Sequence, residues 1–293
     1  MDLSIIIINY KTEDLTRQTL GAVFKADPPA GKMEVILVDN HSQDETPAMI
    51  THQFPQVKQI LSSTNLGFAG GNNLGLRQAK GRYLLLLNSD TIIDQDCLVK
   101  MVDYMDKNPQ VGLSTCRVEL ADGRIDPASH RGFPTPWASL TYYLGLEKLF
   151  PHSPLLAQYH QGWKDLTVVH KIDSPAGAFF FLRKSALNQA GLLDEAFFMY
   201  GEDLDLAFRI KKAGWQVMYV PITKITHLKG ASGLNSSTKL QRITTTQSFF
   251  DAMKLFYQKH YRKKYFFLLR WCIFFGINII KFIKILTIKL SWK

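Results

Sequence analysis

Leu3-Ser4-Ile5-Ile6-Ile7-Ile8-Asn9-Tyr10 is the stretch whose reading decides the fold. Four successive isoleucines carry no helical period, and β-branched side chains pack well on a pleated sheet, so the run reads as a strand that ends on a polar pair. The same grammar recurs at Glu34–Asp39, Val57–Leu61 and Tyr83–Asn88. Amphipathic stretches near 12–25, 44–53, 71–79 and 95–107 separate these runs as helices, with Asp44 and Asp94 as N-caps. Strands alternating with helices predict an α/β fold, Rossmann-like, with a mostly parallel sheet flanked by helices. Residues 120–172 are rich in Pro, Gly, His and aromatics, which predicts long loops with an inserted helix. A later strand, Gln216–Val220, is expected to stop at a Pro221 turn.

The chain of 293 residues is 46% hydrophobic, enough for a substantial core and against a disordered class. Its net charge of +10 is confined to one end. Beyond Asp251 there are ten Lys and Arg residues and no acid, so residues 1–251 balance at 25 of each sign. A neutral body with a basic tail does not suit a protein that tracks phosphates over its whole surface, and nucleic acid is not an expected partner. Cys97, Cys116 and Cys272 lie far apart, forming no CxxC pair and no even disulfide framework, so a reducing, cytoplasmic compartment is expected. Met1-Asp2-Leu3-Ser4 lacks a basic n-region, and no export signal is expected.

In open α/β sheets, ligands gather outside the C-terminal ends of the strands. Here those ends read Asn9-Tyr10, Asp39-Asn40-His41-Ser42 and Asn88-Ser89-Asp90. One polar end is ordinarily the cap of the next helix, but three together point to one shared cleft. The glycine-rich Asn65–Gly75 stretch contains Gly67, Gly71 and Asn72; it allows close backbone approach to a ligand before a helix N-terminus. It matches neither the Gx4GK[ST] nor the GxGxxG pattern, so alone it equally describes a structural turn. Asp90, after the apolar run Tyr83–Leu87, is placed to hold a divalent cation that bridges phosphates. Gly201-Glu202-Asp203-Leu204-Asp205-Leu206 sets three acids in four positions; on a helix Glu202 and Asp205 share a face while Asp203 points about 100° away from Glu202. The helix dipole favours acids there, so at least one of them serves the fold. His227 follows the last strand as a candidate cation ligand or phosphate contact.

Taken in order, these motifs, with Gly177-Ala178-Phe179, resemble glycosyltransferase family 2, inverting enzymes of the GT-A fold, and within it the rhamnosyltransferase-like members. The resemblance covers about residues 3–232 and predicts a GT-A domain over 1–235. It implies that Asn9, Tyr10 and Asp39 hold the nucleobase and ribose, Asp39 accepting from a pyrimidine imide, with Asn40, Asn65, Gly67, Gly71, Asn72, Asn88 and Ser89 completing the nucleotide-sugar site. It also implies that Asn88-Ser89-Asp90 replaces a DxD motif, that Asp90 and His227 hold Mg²⁺ or Mn²⁺, and that Asp203 is the general base with Glu202 beside it. Asn88 departs from the pattern, in which an aspartate stands there. The expected activity is sugar transfer, foremost rhamnose from dTDP-rhamnose and otherwise a hexose from a UDP donor, to a lipid-linked or polysaccharide acceptor in cell-surface glycan synthesis. A catalytically silent nucleotide-sugar-binding or membrane scaffold protein is the rival reading.

Residues 236–293 are expected to form a basic, helical, membrane-associating region. On a helix over Tyr265–Leu290, Arg270, Asn278, Lys281, Lys284 and Lys289 fall within an arc of roughly 140°. This predicts a peripheral helix at the inner face of the cell membrane, its basic face toward anionic headgroups and Trp271 and Trp292 as anchors. The same stripe suits packing on the body or in a homo-oligomer, or a tilted span.

Overall fold

The computed structural model describes residues 1–228 and 239–290; Trp292 and the expected 235/236 boundary lie outside the described residues. The four leading strands, β1 (Leu3–Asn9), β2 (Met33–Asp39), β3 (Lys58–Leu61) and β4 (Tyr83–Asn88), follow the apolar runs closely. They are followed by β5 (Thr91–Ile93), β6 (Val111–Leu120), β7 (His170–Lys171), β8 (Phe179–Arg183) and β9 (Gln216–His227). One nine-stranded sheet results, in the order β3-β2-β1-β4-β8-β6-β9-β5, with β7 on β9. Pairing is parallel through β3-β2-β1-β4 and between β6 and β9, whereas β8 runs against both of its neighbours.

Helices α1 (Glu13–Lys25), α2 (Thr46–Gln53) and α4 (Cys97–Lys107) cover one face of the sheet, where Ile5 and Ile7 meet Leu20, Ile50 and Met101. On the other face, Ile6, Ile36 and Val38 meet α3 (Gly67–Gln78), α7 (Lys184–Ala190) and α8 (Glu202–Lys212). The isoleucine run is thus divided by its two-residue period between two cores. The 120–172 region holds a 3₁₀ turn at Pro127–His130 and the short helices α5 (Pro136–Tyr143) and α6 (Leu146–Leu149).

Three local expectations change. Asp44 accepts from the Thr46 N–H at 3.0 Å, but α2 starts two residues later than Asp44, and α4 starts after Asp96 rather than Asp94. β9 does not turn at Pro221; it runs on to His227, and its register with β6 shifts between Thr115 and Arg117. An irregularity of that kind tolerates a residue with no N–H to donate.

The last two helices differ in their surroundings. α9 (Lys239–Tyr261) docks on the body: Ala252, Phe256, Tyr257 and Tyr261 form a third apolar cluster with Phe197 and Leu204. A polar clasp reinforces it, since Asp205 on α8 accepts from Arg209 at 2.8 Å and meets His260 and Lys259 of α9 at 2.7 and 2.8 Å. Burial opposes that charge, but the bonds from His260, Lys259 and Arg209 prevail and hold the Asp205 carboxyl down to about 2. Asp205 therefore secures the fold, as expected of at least one of the three acids.

α10 (Phe267–Leu290) differs in part from the expected orientation of the tail. Part of its polar arc meets α9: Lys281 donates to Asp251 at 2.8 Å, Asn278 accepts from Lys254 at 2.5 Å, and Ile277, within the same arc, is buried, while Lys284 and Lys289 stay exposed. The charged pair on α9 needs partners, and α10 supplies them from its own polar side. The exposed side is largely apolar, with Trp271 65% and Phe282 67% exposed, and also carries Lys284 and Lys289. By length and composition α10 can cross a membrane.

Because Phe256 is nearly fully buried between α8 and α9, Phe256→Ala should cost about 3–5 kcal/mol of the main unfolding transition. Urea melts of the full chain read this directly; an unchanged midpoint would mean that α9 is not part of the cooperative body.

Candidate active site

The parallel register levels the strand ends: Asn9 stands beside Asp39, and Ile8 beside Asn88. Asn9 is fully buried and completely engaged. Its Nδ2 donates to Asp39 Oδ1 at 2.9 Å, Ser42 Oγ at 2.8 Å and Thr46 Oγ1 at 3.1 Å, while its Oδ1 accepts from Thr12 and Thr16 at 2.8 Å each. It is a strut below the site rather than a group facing a ligand. Asp39 is also buried, and its Oδ2 accepts from the Ser42 N–H at 3.1 Å. Asn40 ties β2 to the next loop, donating to Asn65 Oδ1 and Gly67 O at 3.0 Å and accepting from Leu66 N–H at 3.0 Å.

The glycine-rich segment is mostly helix rather than ligand loop. α3 begins at Gly67, earlier than expected, and a Cβ on Gly71 would stand 2.1 Å from Ile8 Cδ1. Gly71 therefore serves the close approach of α3 to β1, and Asn72, buried, donates to its own helix at Phe68 O. Gly67 is different: its φ is +70°, and a Cβ there would lie 2.2 Å from Phe198 O. It brings the turn before α3 against the segment that leads into α8.

A cavity of about 410 Å³ opens above these strand ends. Tyr10, Asn40, Asn65, Gly67, Asn88, Ser89 and Asp90 line it together, as the sequence predicts. Asn9, Asp39, Gly71, Asn72 and Glu202 do not. Sequence reasoning missed Lys11, Thr12 and Phe198, and above all the first half of α9, which brings Gln241, Thr244, Thr245 and Ser248 over the cavity.

At the Asp90 end, His227 lies with Nε2 3.2 Å from Asp90 Oδ1 and Nδ1 3.5 Å from Asp126 Oδ2. Burial opposes charging of the imidazole, but the Asp126 and Asp90 carboxylates outweigh it and raise His227 above its usual range. Among the described residues no three His, Cys, Asp or Glu side chains cluster to hold a metal by themselves. Two donors are present, a carboxylate is placed to orient the histidine through its other nitrogen, and Asn88 Oδ1 beside them is buried without a partner. That set fits a cation whose remaining ligands are substrate oxygens and water. Asp126 had no periodic or motif signal in the loop-rich stretch that supplies it.

A second cavity, about 420 Å³, is lined by chain neighbours of the first: Phe198 and Met199 line one, Tyr200, Gly201 and Asp203 the other. Asp203 is clasped by Arg131, whose Nη2 donates to its Oδ2 at 2.6 Å and to Pro175 O at 3.0 Å. Burial disfavours the Arg131 charge, yet Asp203 and Tyr159 raise its pKa overall. Arg131 was also missed, for the same reason as Asp126. Glu202 points away into the protein, its Oε2 without a partner. Burial first, and the Asp203 charge second, push its carboxyl up to about 8.

The model of the family described as Glycosyl transferase family 2 matches residues 4–187. The chain belongs to glycosyl transferase family 2. A Mycobacterium tuberculosis N-acetylglucosaminyl-diphospho-decaprenol L-rhamnosyltransferase is 26% identical over 68% of this chain and 68% of its own length. The Escherichia coli rhamnosyltransferase WbbL is 27% identical over 76% of this chain and 82% of its own. Among solved structures, the Pyrobaculum calidifontis mannosyltransferase in complex with GDP-Man and Mn²⁺ shares 18% identity at a TM-score of 0.60, covering 89% of this chain and 64% of that one. This family 2 chain thus spans just under two thirds of that neighbour. Residues 1–349 of Staphylococcus aureus TarS, in complex with UDP-GlcNAc, superpose at 0.58 with 17% identity over all of this chain and 74% of theirs. The fold is that of the GT-A glycosyltransferases.

Glu202 gives a pH signature. Its folded value near 8 lies above the usual 4.5, so its contribution to stability is complete below 4.5 and is lost as pH rises through 8. The stability of the wild type relative to Glu202→Gln should therefore fall between pH 5 and pH 8. Urea midpoints of both proteins at the two pH values measure it, and parallel profiles would place a charged Glu202 in the fold.

Proposed function

We propose that the chain is an inverting, cation-dependent glycosyltransferase, moving rhamnose from dTDP-rhamnose, or a hexose from a UDP donor as the next choice, to a sugar carried on a lipid diphosphate. The observation that carries this reading is the adjacency of the two cavities, one lined by Asp90, which His227 meets at 3.2 Å, and the other by Asp203. The rhamnosyltransferase relatives favour the donor, and the decaprenol-linked substrate in one relative's name favours the acceptor class.

On this reading Tyr10, Asn40 and Asn65 receive the nucleoside, and Asp39, buried beneath them, supports that wall through Asn9 and the Ser42 N–H. Lys11 lies at the same wall for the diphosphate. Asp90, His227 and Asn88 are the residues that would hold Mg²⁺ or Mn²⁺, which when bound supplies positive charge to the departing diphosphate. Asp203 takes the proton of the acceptor hydroxyl as the new C–O bond forms at the anomeric carbon. The bond from that carbon to the diphosphate breaks on the opposite side, its electron pair leaving with the nucleotide, so the centre inverts. Arg131 is a positioning residue that fixes the Asp203 carboxylate through one oxygen. The exposed apolar face of α10 supports attachment to the inner face of the cell membrane, where a lipid-linked acceptor resides.

Asp203→Asn should lower kcat about 10²- to 10⁴-fold while leaving donor binding intact. Calorimetry with dTDP-rhamnose, UDP-glucose and GDP-mannose, each with Mn²⁺ and with EDTA, should show cation-dependent binding of one pyrimidine donor. Retained binding without any transfer by the wild type would favour the silent nucleotide-sugar binder.

A further inference from the structure

A third cavity, about 480 Å³, lies outside the machinery described so far. It is a trough walled by Trp137 and Leu140 of α5, Met253 of α9, and Ile273, Gly276 and Ile277 of α10, and none of its described lining residues is charged. Its size is that of a ligand site rather than a packing gap.

Two features identify its occupant. First, it is continuous with the Asp203 cavity: Pro134, Ser139, Tyr143, Met253 and Phe256 line both. One elongated molecule can place a polar head at Asp203 and an apolar length in the trough. Second, the outer wall is α10, so the trough opens beside the apolar face that this helix leaves exposed, where Leu269 and Cys272 are accessible. A chain entering from a lipid phase would pass from hydrocarbon to an apolar channel without crossing water. A polar peptide or a free sugar gains nothing from such a wall.

We propose that the trough binds the carrier-proximal hydrocarbon of the lipid-diphosphate acceptor, so that the acceptor is selected by its chain as well as by its sugar. This rests on the lipid-linked acceptor reading above. It predicts a preference for long-chain acceptors that is written in α5, α9 and α10 rather than in the donor cavity.

The test uses the full chain in phosphatidylglycerol vesicles, with N-acetylglucosaminyl-diphosphoryl-undecaprenol as the long-chain probe and the hexyl ester of the same sugar diphosphate as the short one. Gly276 lines the trough and a Cβ there meets no heavy atom within 4 Å, so Gly276→Phe is the variant chosen to narrow the trough. The ratio of kcat/KM for the long over the short probe should fall at least tenfold in this variant, a comparison that cancels any general loss of folded enzyme. An unchanged ratio, from equal loss or from none, overturns the proposal.

Cys97 and Cys116 are buried and Cys272 is exposed, so maleimide labelling of the native protein reports Cys272. The long probe should slow it several-fold and the short probe should not. Equal protection by vesicles without probe would assign the trough to bulk phospholipid, and protection that grows with protein concentration would assign it to a second copy of the chain; either result overturns the proposal. If neither probe is glycosylated but the long one still protects Cys272, the transferase reading fails while the chain site stands.

Discussion

Strand register is the constraint on which this structure depends. With β1 paired in parallel to β2 and β4, Asn9 is level with Asp39 and Ile8 with Asn88, so three polar strand ends reach one edge of the sheet together. A slip of one residue would exchange the two cores and turn every side chain at that edge to the wrong face. The Asn9 amide guards the register from inside: a buried amide whose oxygen and nitrogen are both fully bonded would lose several partners in any other alignment. Its position in the strand end is therefore explained without contact to a ligand.

The second organising feature is the way α9 and α10 are layered. α9 offers polar side chains to the cavity above the strand ends along its first half and aromatic ones to α8 along its second. α10 in turn meets α9 partly through Asn278 and Lys281 and leaves a largely apolar side out. A helix that faces water does the reverse. The arrangement gives the outermost layer of the molecule a surface that water solvates poorly and a lipid phase solvates well.

The parts of this design that were legible in the sequence are those governed by short-range rules. The apolar runs at Leu3–Asn9 and Tyr83–Asn88 are long, β-branched or leucine-rich, and bounded by polar residues, so their strands emerge with the expected ends. The cleft residues Tyr10, Asn40, Ser89 and Asp90 followed from the same rule. What was misread depends on contacts across the fold. Gly71 looks like a ligand-approach glycine until Ile8 is seen opposite it, and Pro221 looks like a stop until β6 yields its register beside it. Asp126 and Arg131 act only through partners far along the chain, His227 and Asp203, and no local pattern marks such a pairing. The polar arc of α10 was found, but an arc alone does not say which side meets protein.

The placement of α9 has a consequence for how the site is laid out along the chain. The family match ends at residue 187, before α8 carries Asp203 and well before α9 closes over the strand ends. In chain order, the strands and their polar ends all precede the helix that closes the cavity above them. The wall arrives with residues 239–261, and α10 follows it directly. The residues that cover the strand ends and the apolar outer helix thus lie in one continuous C-terminal stretch of the chain.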